Sequence, residues 1–519
     1  MTGAMPMVSP GGLWLVSAIM VPFAGVLLAL VVGGRGAWRV AQAAIVLGIG
    51  IAFAIAATLL RAGDALVYTL AGWAPPLGIA LRADGLAVSM MVAVAVVVGM
   101  VGVYAGGNFG TARGAAESRG PLSFWLLLLS VWGALNLIFL AQDVFTLYVG
   151  LELLTFAGVP LVSLDGSAAT LKAALRYLLF ALLGSMFYLL GTFLLYGVYG
   201  TLDIGQLGAA VRAGPATWLA AALMTAGLLA KTALFPLHLW LPPAHAGAPA
   251  AASAVLSALV VKGSWFLAIR LWLDVFATVV TSGAAQCLAA LGVLAIVVGN
   301  VVAIRQARLK LLIAYSTVAQ IGYLFLVFPL AAALQDDPAG SAAAVAGGML
   351  QAISHATAKA AMFLAAGLVY TVLGHDRVAD LRGCAALLPM TMTAFALAGA
   401  SLIGLPPSGG FLAKWLLLTA ALASAQWWWA LAMLAGGALT SVYVAMVLLR
   451  ALAPAAPAFV AARPVPRLQE GAVMALALCS FLLGAAALLP AEWLRIGRGV
   501  SPPVSATVSA TVSAPVAAP

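Results

Sequence analysis

The sequence predicts an all-α polytopic membrane protein. Of its 519 residues, 65% are hydrophobic and only 7% are charged, a balance that is not typical of soluble globular proteins. Apolar runs of about 20 residues, the length that a helix needs to cross a bilayer, recur along the chain. Two of these runs contain proline close to an intramembrane lysine. Together these observations predict about 14 transmembrane helices, some of them broken.

The runs that qualify as membrane spans occur throughout the chain. They lie at 12–33, 37–60, 84–105, 121–141, 143–164, 170–197, 214–238, 247–274, 283–303, 307–332, 342–373, 386–417, 425–451 and 469–490. The segment 61–83 is too polar and too rich in Gly and Pro to span, so we expect an extended or hairpin element at the surface. The tail 499–519 is of low complexity, which predicts disorder.

The basic residues of the connecting loops predict the orientation. Loops on one side carry 14 lysines and arginines, Lys310 among them, and loops on the other side carry 6, including Arg270. The side richer in these residues is normally cytoplasmic. We therefore expect an inner-membrane protein with both termini outside the cytoplasm. The net charge of +10 does not indicate nucleic-acid binding, because the basic residues are scattered among short loops.

The sequence contains no cofactor or metal motif. Cys287, Cys384 and Cys479 are far apart in or beside apolar runs, which predicts small buried apolar residues and no metal site. P-loop, dinucleotide, flavin and iron–sulfur patterns are absent from the sequence. We predict no catalytic residue and no cofactor in this chain, and any coupled redox chemistry would belong to partner subunits.

A few charged residues lie inside spans. Each would cost roughly 2.5–3.5 kcal/mol if it faced lipid, so we expect them to face one another, other polar groups or water. Glu152 is the only acid well inside a span. The intramembrane lysines are Lys231, Lys262, Lys359 and Lys414. Three aspartates at span ends are expected to be caps or solvated groups: Asp84, Asp143 and Asp274.

Prolines predict a break beside two of these lysines. A proline removes the hydrogen bond from its own nitrogen to the carbonyl four residues earlier. Pro236 therefore predicts a break and a free carbonyl close to Lys231, and Pro406 and Pro407 predict a break just ahead of Lys414. Broken helices in corresponding positions of two halves indicate an internal repeat and an ion or substrate path. Two kinks unrelated to function are the alternative.

Histidine and neutral polar residues extend this pattern. His355 and Lys359 are four residues apart and share one helix face. Histidine titrates near neutral pH and can relay a proton. Ser316, Thr317 and Gln320 in the preceding span add hydroxyl and amide groups that could hold water. Two more histidines at a span end are candidate relays or interface anchors: His238 and His245.

Together these side chains predict a proton path at mid-membrane. Burial in a medium of low dielectric constant favours the neutral form of a lysine, so a buried lysine can exchange protons near neutral pH. The predicted proton-transfer residues are Glu152, Lys231, Lys262, His355, Lys359 and Lys414.

Four stretches carry a family resemblance. They are LAKTALFPLHLWLPPAHAGAPAAASAVLSALVVKG, SHATAKAAMFLAAG, LKLLIAYSTVAQIGY and SLIGLPPSGGFLAKW. They resemble the proton-translocating antiporter-like membrane subunits of respiratory complex I, Mrp-type cation/proton antiporters and membrane-bound hydrogenases. The resemblance covers roughly residues 70–450. It is greatest to the D-type Mrp subunit or the complex I subunit nearest the quinone arm.

This resemblance implies a fold of 14 helices with two inverted five-helix repeats. It also implies that Glu152 pairs with Lys231, that Lys262 is the central lysine, and that Lys414 occupies an exit-side position where some members carry glutamate. The implied regions are 1–120 with helices 1–3 and the hairpin, 121–274 and 283–451 as the two repeats, 452–498 with the last helix, and the tail 499–519.

The function expected from the residues and the resemblance is proton translocation by one subunit of a larger complex. The expected partners are other membrane subunits, the lipid bilayer and protons, with Na⁺ as a second candidate ion. The alternatives are a stand-alone solute permease, an inorganic-carbon-uptake membrane subunit and a structural assembly subunit with inert polar contacts. The identity of the complex and of its driving reaction stays open at this point.

Overall fold

The computed structural model describes residues 8–110, 119–454, 465–485 and 490–498. Within these ranges the chain is mostly helical, and eleven helical segments are long and apolar enough to cross a membrane. The prediction of an all-α polytopic membrane protein is confirmed. The tail 499–519, predicted to be disordered, lies outside the described residues.

The first part of the chain has long helices that surround one hairpin. Strand β1 (Leu66–Thr69) pairs antiparallel with β2 (Ala80–Ala83), within the segment for which an extended or hairpin element is predicted. The helices are α1 (Leu13–Val32), α2 (Gly34–Ala62), α3 (Gly85–Asn108), α4 (Arg119–Leu140), α5 (Val144–Val162), α6 (Ala168–Tyr199), α7 (Ile204–Ala210), α8 (Pro215–Thr232) and α9 (Leu241–Gly247).

The next helices contain several interruptions. Helices α10 (Ala250–Val255) and α11 (Val261–Arg270) form one rod with π-helical turns at Leu256–Val260 and Leu271–Val275. The remaining helices are α12 (Ser282–Ile304), α13 (Leu309–Leu324), α14 (Val327–Ala333), α15 (Pro338–Leu373), α16 (Cys384–Leu387), α17 (Pro389–Ile403), α18 (Gly409–Ala423), α19 (Trp427–Leu452), α20 (Arg467–Leu482) and α21 (Pro490–Arg495).

Helix α15 lies near the centre of the bundle. It packs against α10, α13, α17, α18 and α20, and most of its residues from Ala344 to Val372 are buried. In the first half, α6 and α8 pack very closely. A Cβ atom on Gly227 would lie 2.3 Å from the carbonyl oxygen of Gly184, so this contact requires glycine. The central helices therefore bring α8, α11, α13, α15 and α18 together.

Two of the predicted spans are not single continuous helices in the structure. In the span 214–238, α8 ends at Thr232, where Ala233 adopts a positive φ of 58°. The Ala230 carbonyl accepts from the Ala233 amide (3.3 Å) and from the indole of Trp240 (3.0 Å). The span 386–417 divides into α17 and α18, and residues 404–408 between them contain both prolines. Pro236 and the pair Pro406 and Pro407 thus lie in non-helical segments that interrupt these two spans.

Several sequence predictions about individual residues need correction. Cys384 is buried, but Cys287 and Cys479 are exposed on the surfaces of α12 and α20, so burial of all three cysteines was wrong. Lys310, counted above as a loop residue, is only 9% exposed, and its ammonium donates to the Ala248 carbonyl (2.5 Å). Tertiary packing over the start of α13 covers it, which a loop-charge count does not detect.

Arg270 likewise belongs to a buried charge network rather than to a loop. Its Nη1 atom lies 2.6 Å from Asp84 Oδ2 and 3.0 Å from Asp274 Oδ2. Arg498 closes the network, with Nη2 2.8 Å from Asp274 Oδ1. Asp84 also caps α3 by accepting from the Ala87 amide, as predicted. The network fastens the end of the α10–α11 rod to α3 and to the segment after α21.

We expect Asp84→Asn to destabilise the protein markedly. Asparagine keeps the helix cap but removes the carboxylate, and loss of one partner of a buried ion pair costs about 3–5 kcal/mol. Thermal unfolding of the purified chain would measure the effect. The control is Asp64→Asn, because Asp64 is exposed and its carboxylate bonds only the adjacent Ala65 amide among the described contacts. Equal melting of both variants would contradict the prediction.

Candidate functional site

Glu152 on α5 and Lys231 on α8 form the first pair of the site. Lys231 Nζ lies 3.9 Å from Glu152 Oε1, and the Glu152 side chain is 15% exposed. The shorter contacts of the ammonium go to Thr155 Oγ1 (2.8 Å) and the Leu151 carbonyl (3.4 Å). Lys231 therefore has a carboxylate neighbour without being locked to it by a short hydrogen bond.

A small cavity borders Lys231. Its volume is about 10 Å³, roughly the space that one water molecule requires, and its walls include Thr155, Lys231 and Ser264. Thr232 Oγ1 donates to Ser264 Oγ at 3.0 Å, and Ser264 lies two residues beyond Lys262. Hydroxyl groups thus border the cavity beside Lys231, and Ser264 places one of them on the helix that also carries Lys262.

Lys262 lies immediately after the first π-helical turn of the α10–α11 rod. Its side chain is fully buried, and Nζ donates to the Ser257 carbonyl within that turn at 2.5 Å. The Ser257 hydroxyl shares a hydrogen bond of 2.9 Å with Thr317 Oγ1 on α13. π-helical turns occur often at functional sites, because they redirect backbone carbonyls. Here the turn supplies the acceptor for a buried ammonium.

Lys359 on α15 contacts the same turn of α13. Its ammonium donates to the Ile313 carbonyl (3.2 Å) and makes a short hydrogen bond to Ser316 Oγ. Ser316 is adjacent in sequence to Thr317, which bonds the Lys262 side of the site. One turn of α13 therefore connects the second and third lysines.

Gln320 connects this turn to Lys414. Its amide nitrogen donates to the Leu402 carbonyl (3.3 Å), and its oxygen accepts from Gln351 (3.0 Å). Lys414 Nζ donates to the same Leu402 carbonyl (2.5 Å) and to Ile403 (3.0 Å). Both carbonyls lie at the end of α17, where the break frees them and where the helix dipole attracts a cation.

The three candidate histidines are buried in different surroundings. His355 lies one turn before Lys359 on α15, and both of its ring nitrogens lack a partner among the described protein atoms. His245 is 0% exposed and stacks on Phe363, with ring centroids 4.7 Å apart. His238 is 6% exposed beside Phe235. This burial within the protein does not fit the interface-anchor alternative for His245 or His238.

The four lysines share one pattern of contacts. Each ammonium donates to at least one backbone carbonyl, and in the part of the chain that the structure describes only Lys231 has a carboxylate within 4 Å. A buried charge with no opposite charge is costly, so such a group can give up its proton. The arrangement can hold protons at successive lysines and pass them through hydroxyl, amide and water groups.

Sequence reasoning missed several neutral members of this site. Thr155 could have been found, because it lies three residues after Glu152 and so shares a helix face with it. Ser257 carried no comparable signal, since its contact with Thr317, a residue that the sequence did indicate, joins residues 60 positions apart. Of the sequence-predicted residues, Ser316 bonds Lys359, and Gln320 shares the Leu402 carbonyl with Lys414.

The sequence of this chain is similar to those of known membrane-complex subunits. The family described as NADH:quinone oxidoreductase/Mrp antiporter, TM, matches residues 141–440. The chain is 36% identical over 423 residues to NADH-quinone oxidoreductase subunit N of Desulforudis audaxviator, which covers 80% of this chain and 81% of that protein. It is 30% identical over 352 residues to the D-type Na(+)/H(+) antiporter subunit of Bacillus subtilis, covering 67% and 68%.

Solved structures share the fold over nearly the whole chain. One chain of the Mrp complex from Dietzia sp. DQ12-45-1b superposes with a TM-score of 0.82 at 24% identity, covering 93% of this chain and 95% of that one. One chain of respiratory complex I from Thermus thermophilus superposes with a TM-score of 0.71 at 26% identity, covering 92% and 98%.

Proposed function

Because the chain belongs to the NADH:quinone oxidoreductase/Mrp antiporter transmembrane family, we propose that it translocates protons as one membrane subunit of a larger complex. The relatives named above are subunits of membrane complexes, and the D-type antiporter subunit expected from the resemblance is among them. The partners are other membrane subunits, and the transported ion is the proton, with Na⁺ as a second candidate for exchange.

The line of contacts from Glu152 to Lys414 supports this proposal most directly. Protons would pass from the Glu152–Lys231 pair through Ser264 to Lys262, and then by the α13 hydroxyls to Lys359. Gln320 and the Leu402 carbonyl complete the way to Lys414. Buried polar groups bond to protein or to water, so the free nitrogens of His355 favour water beside Lys359. His238 and His245 are side relays in this scheme.

We also propose the finer architecture of 14 crossings with two inverted repeats at 121–274 and 283–451. Fourteen crossings result under two conditions. Each of the pairs α8 with α9, α10 with α11, α13 with α14 and α17 with α18 counts once, and the short helices α7, α16 and α21 do not cross. The close packing of α6 on α8 has a counterpart in α15 against α17 and α18. In both halves the broken helix carries a lysine beside its break. The remaining regions are 1–120, 452–498 and the tail 499–519.

The loop charges support an orientation with both termini outside the cytoplasm. We expect Ala307→Cys to react with a membrane-impermeant maleimide only from the cytoplasmic side, and Asp336→Cys only from outside. Both positions are exposed. The background should lack the exposed Cys287 and Cys479, which would otherwise be labelled. Labelling from the reverse sides would overturn the orientation.

A stand-alone permease that binds an anion with its lysines fits the geometry less well. Such a protein would gather its cations around one cavity, whereas these four lysines lie on α8, α11, α15 and α18 and each bonds a separate carbonyl. An inorganic-carbon-uptake subunit of the same family would share the proton path, so the path does not distinguish it from the other complexes.

Lys359 offers a test of the proposed function. Lys359→Ala should reduce proton-gradient formation by at least about tenfold, because the path between Lys262 and Lys414 loses its central proton carrier. The measurement is pH-dye quenching in inverted vesicles that contain the complete complex, with subunit amounts checked on gels. Arg212→Ala, at an exposed loop position, is the control. A full gradient from assembled Lys359→Ala complex would refute this path.

A further inference from the structure

A basic pocket lies where the start of α6 meets α9. It has a volume of about 280 Å³, and its walls include Lys172 and Arg176 from α6, Gly247 from α9, and Arg308. We name it the α6 basic pocket. In the orientation proposed above, it opens at the cytoplasmic surface of the membrane. None of its residues belongs to the proton path.

The α6 basic pocket has an excess of positive charge. Lys172 and Arg176 are exposed, are one helical turn apart, and have no carboxylate within 4 Å in the described ranges. Arg308 is 45% exposed and pairs with Asp376 (2.9 Å) through Nε, while its Nη2 atom donates to the Ala246 carbonyl (3.4 Å) in the pocket wall. Three cations converging on one concavity favour an anionic ligand.

Asp165 is the acid closest to the pocket in sequence, and its oxygens are already engaged. It accepts hydrogen bonds from Thr170, which lines the pocket, and from the Ser167 amide. Burial acts to raise the pKa of Asp165, but these hydrogen bonds outweigh it and lower the pKa below its usual value. Asp165 is thus satisfied locally and leaves Lys172 and Arg176 unpaired.

The same helix presents an apolar stripe that descends into the membrane. Leu171, Leu175, Leu179 and Leu183 follow one another at four-residue intervals and are all exposed. They extend over about 18 Å of helix, comparable to much of one leaflet. Cations at the surface followed by an exposed leucine stripe match the head and the chains of a phospholipid.

We propose that the α6 basic pocket binds the phosphate headgroup of an anionic phospholipid of the cytoplasmic leaflet, with an acyl chain along the leucine stripe. Arginine and lysine are the usual ligands of phosphate, and basic pockets between membrane helices on this side bind anionic headgroups. The lipid would also brace α9, the helix that carries His245. Lipid binding at this pocket is separate from proton translocation. The experiment below measures bound lipid, so its result does not depend on whether the chain transports protons.

The test measures lipid retained by the purified full-length chain. Native mass spectrometry in detergent should show phosphatidylglycerol bound in preference to phosphatidylcholine at equal concentration. Lys172→Gln/Arg176→Gln should weaken phosphatidylglycerol binding by roughly 30-fold, from the contributions of two interfacial cations. Arg61→Gln/Arg212→Gln removes the same charge from exposed positions on the other side and should bind normally. Equal binding by both double variants would overturn the proposal.

Two further measurements separate the source of the anion. Excess inorganic phosphate should not displace phosphatidylglycerol, because phosphate lacks the acyl chain. Displacement at millimolar phosphate would indicate a site for free phosphate and would overturn the lipid assignment. If the double variant does not fold, Arg176→Glu alone serves, with at least a fivefold loss expected. Normal lipid binding with loss of a partner subunit from the Lys172→Gln/Arg176→Gln complex would identify a protein interface instead.

Discussion

Removal of either charge of the Glu152–Lys231 pair is expected to abolish proton transport by the assembled complex. Lys231 is the one lysine of the path with a carboxylate within 4 Å in the described structure, so this carboxylate alone sets the charge balance at this end. Lys231→Met removes the proton carrier. Glu152→Gln removes the attraction that holds a proton at Lys231. We expect gradient formation to fall at least about tenfold in each variant.

The distance between the charged groups of Lys231 and Glu152 suggests how the pair could release a proton. At 3.9 Å the two groups attract each other, but the ammonium makes its short bond to Thr155 (2.8 Å) and borders the cavity that leads to Ser264. A small displacement would therefore move the Lys231 ammonium away from the Glu152 carboxylate and into the cavity. Thr155→Val, which keeps shape and removes the hydroxyl, should slow transport less than Lys231→Met does.

A double variant separates transport from structure. Loss of one partner of a buried pair leaves an uncompensated charge, whereas replacement of both partners is often close to neutral for stability. Glu152→Gln/Lys231→Met should therefore restore any loss of melting temperature or assembly seen in the single variants, and transport should stay absent. Recovery of proton-gradient formation together with stability would show that the pair is only structural.

The parts of the fold and site that follow from local sequence were predictable. Apolar run length predicted the membrane helices, and proline chemistry predicted the breaks beside Lys231 and Lys414. The intramembrane cost of charge singled out the four buried lysines to which the proposed path assigns protons. These signals are local because a helix span, a broken helix and a buried cation each depend on a few neighbouring residues.

The missed features depend on tertiary contacts. Asp84 and Arg270 are 186 positions apart, and only the packing of α3 against the α10–α11 rod brings them together. Lys310 has the sequence context of a loop, yet the Ala248 carbonyl and the fold around it bury the ammonium. The π-helical turn that accepts the hydrogen bond of Lys262 contains no proline or glycine from which it could be predicted. Composition and spacing carry no information on such contacts.

Lys262→Arg is expected to fold and assemble but to transport almost no protons. Lys262 is fully buried, its ammonium donates to the Ser257 carbonyl, and the Ser257 hydroxyl shares a hydrogen bond with Thr317. In the proposed path it lies between Lys231 and Lys359. An obligatory relay must release its proton, and a guanidinium does not deprotonate at accessible pH. We expect a loss of at least about tenfold in gradient formation in inverted vesicles.

The size of arginine requires a matched variant. Extra atoms in a close-packed interior cost about 1–3 kcal/mol, so part of any defect could come from packing. Lys262→Met provides this control, because methionine is similar in size to lysine and never carries a charge. It tests proton transfer at the same position with a permanently neutral side chain. If Lys262 carries protons, both variants fail although one is always charged and the other never is. Parental rates in assembled Lys262→Arg would exclude a relay at this position.

A proton leak in a Lys262 variant would indicate that this residue gates the path without carrying protons. A protonated Lys262 should disfavour charge on Lys359, because both are buried and the same turn of α13 connects them. This repulsion would make the path alternate between the two lysines. If Lys262→Ala vesicles show a steady uncoupled leak, measured as faster collapse of an imposed pH gradient, the residue is an electrostatic gate and protons pass it by. No leak and no transport would establish it as a carrier.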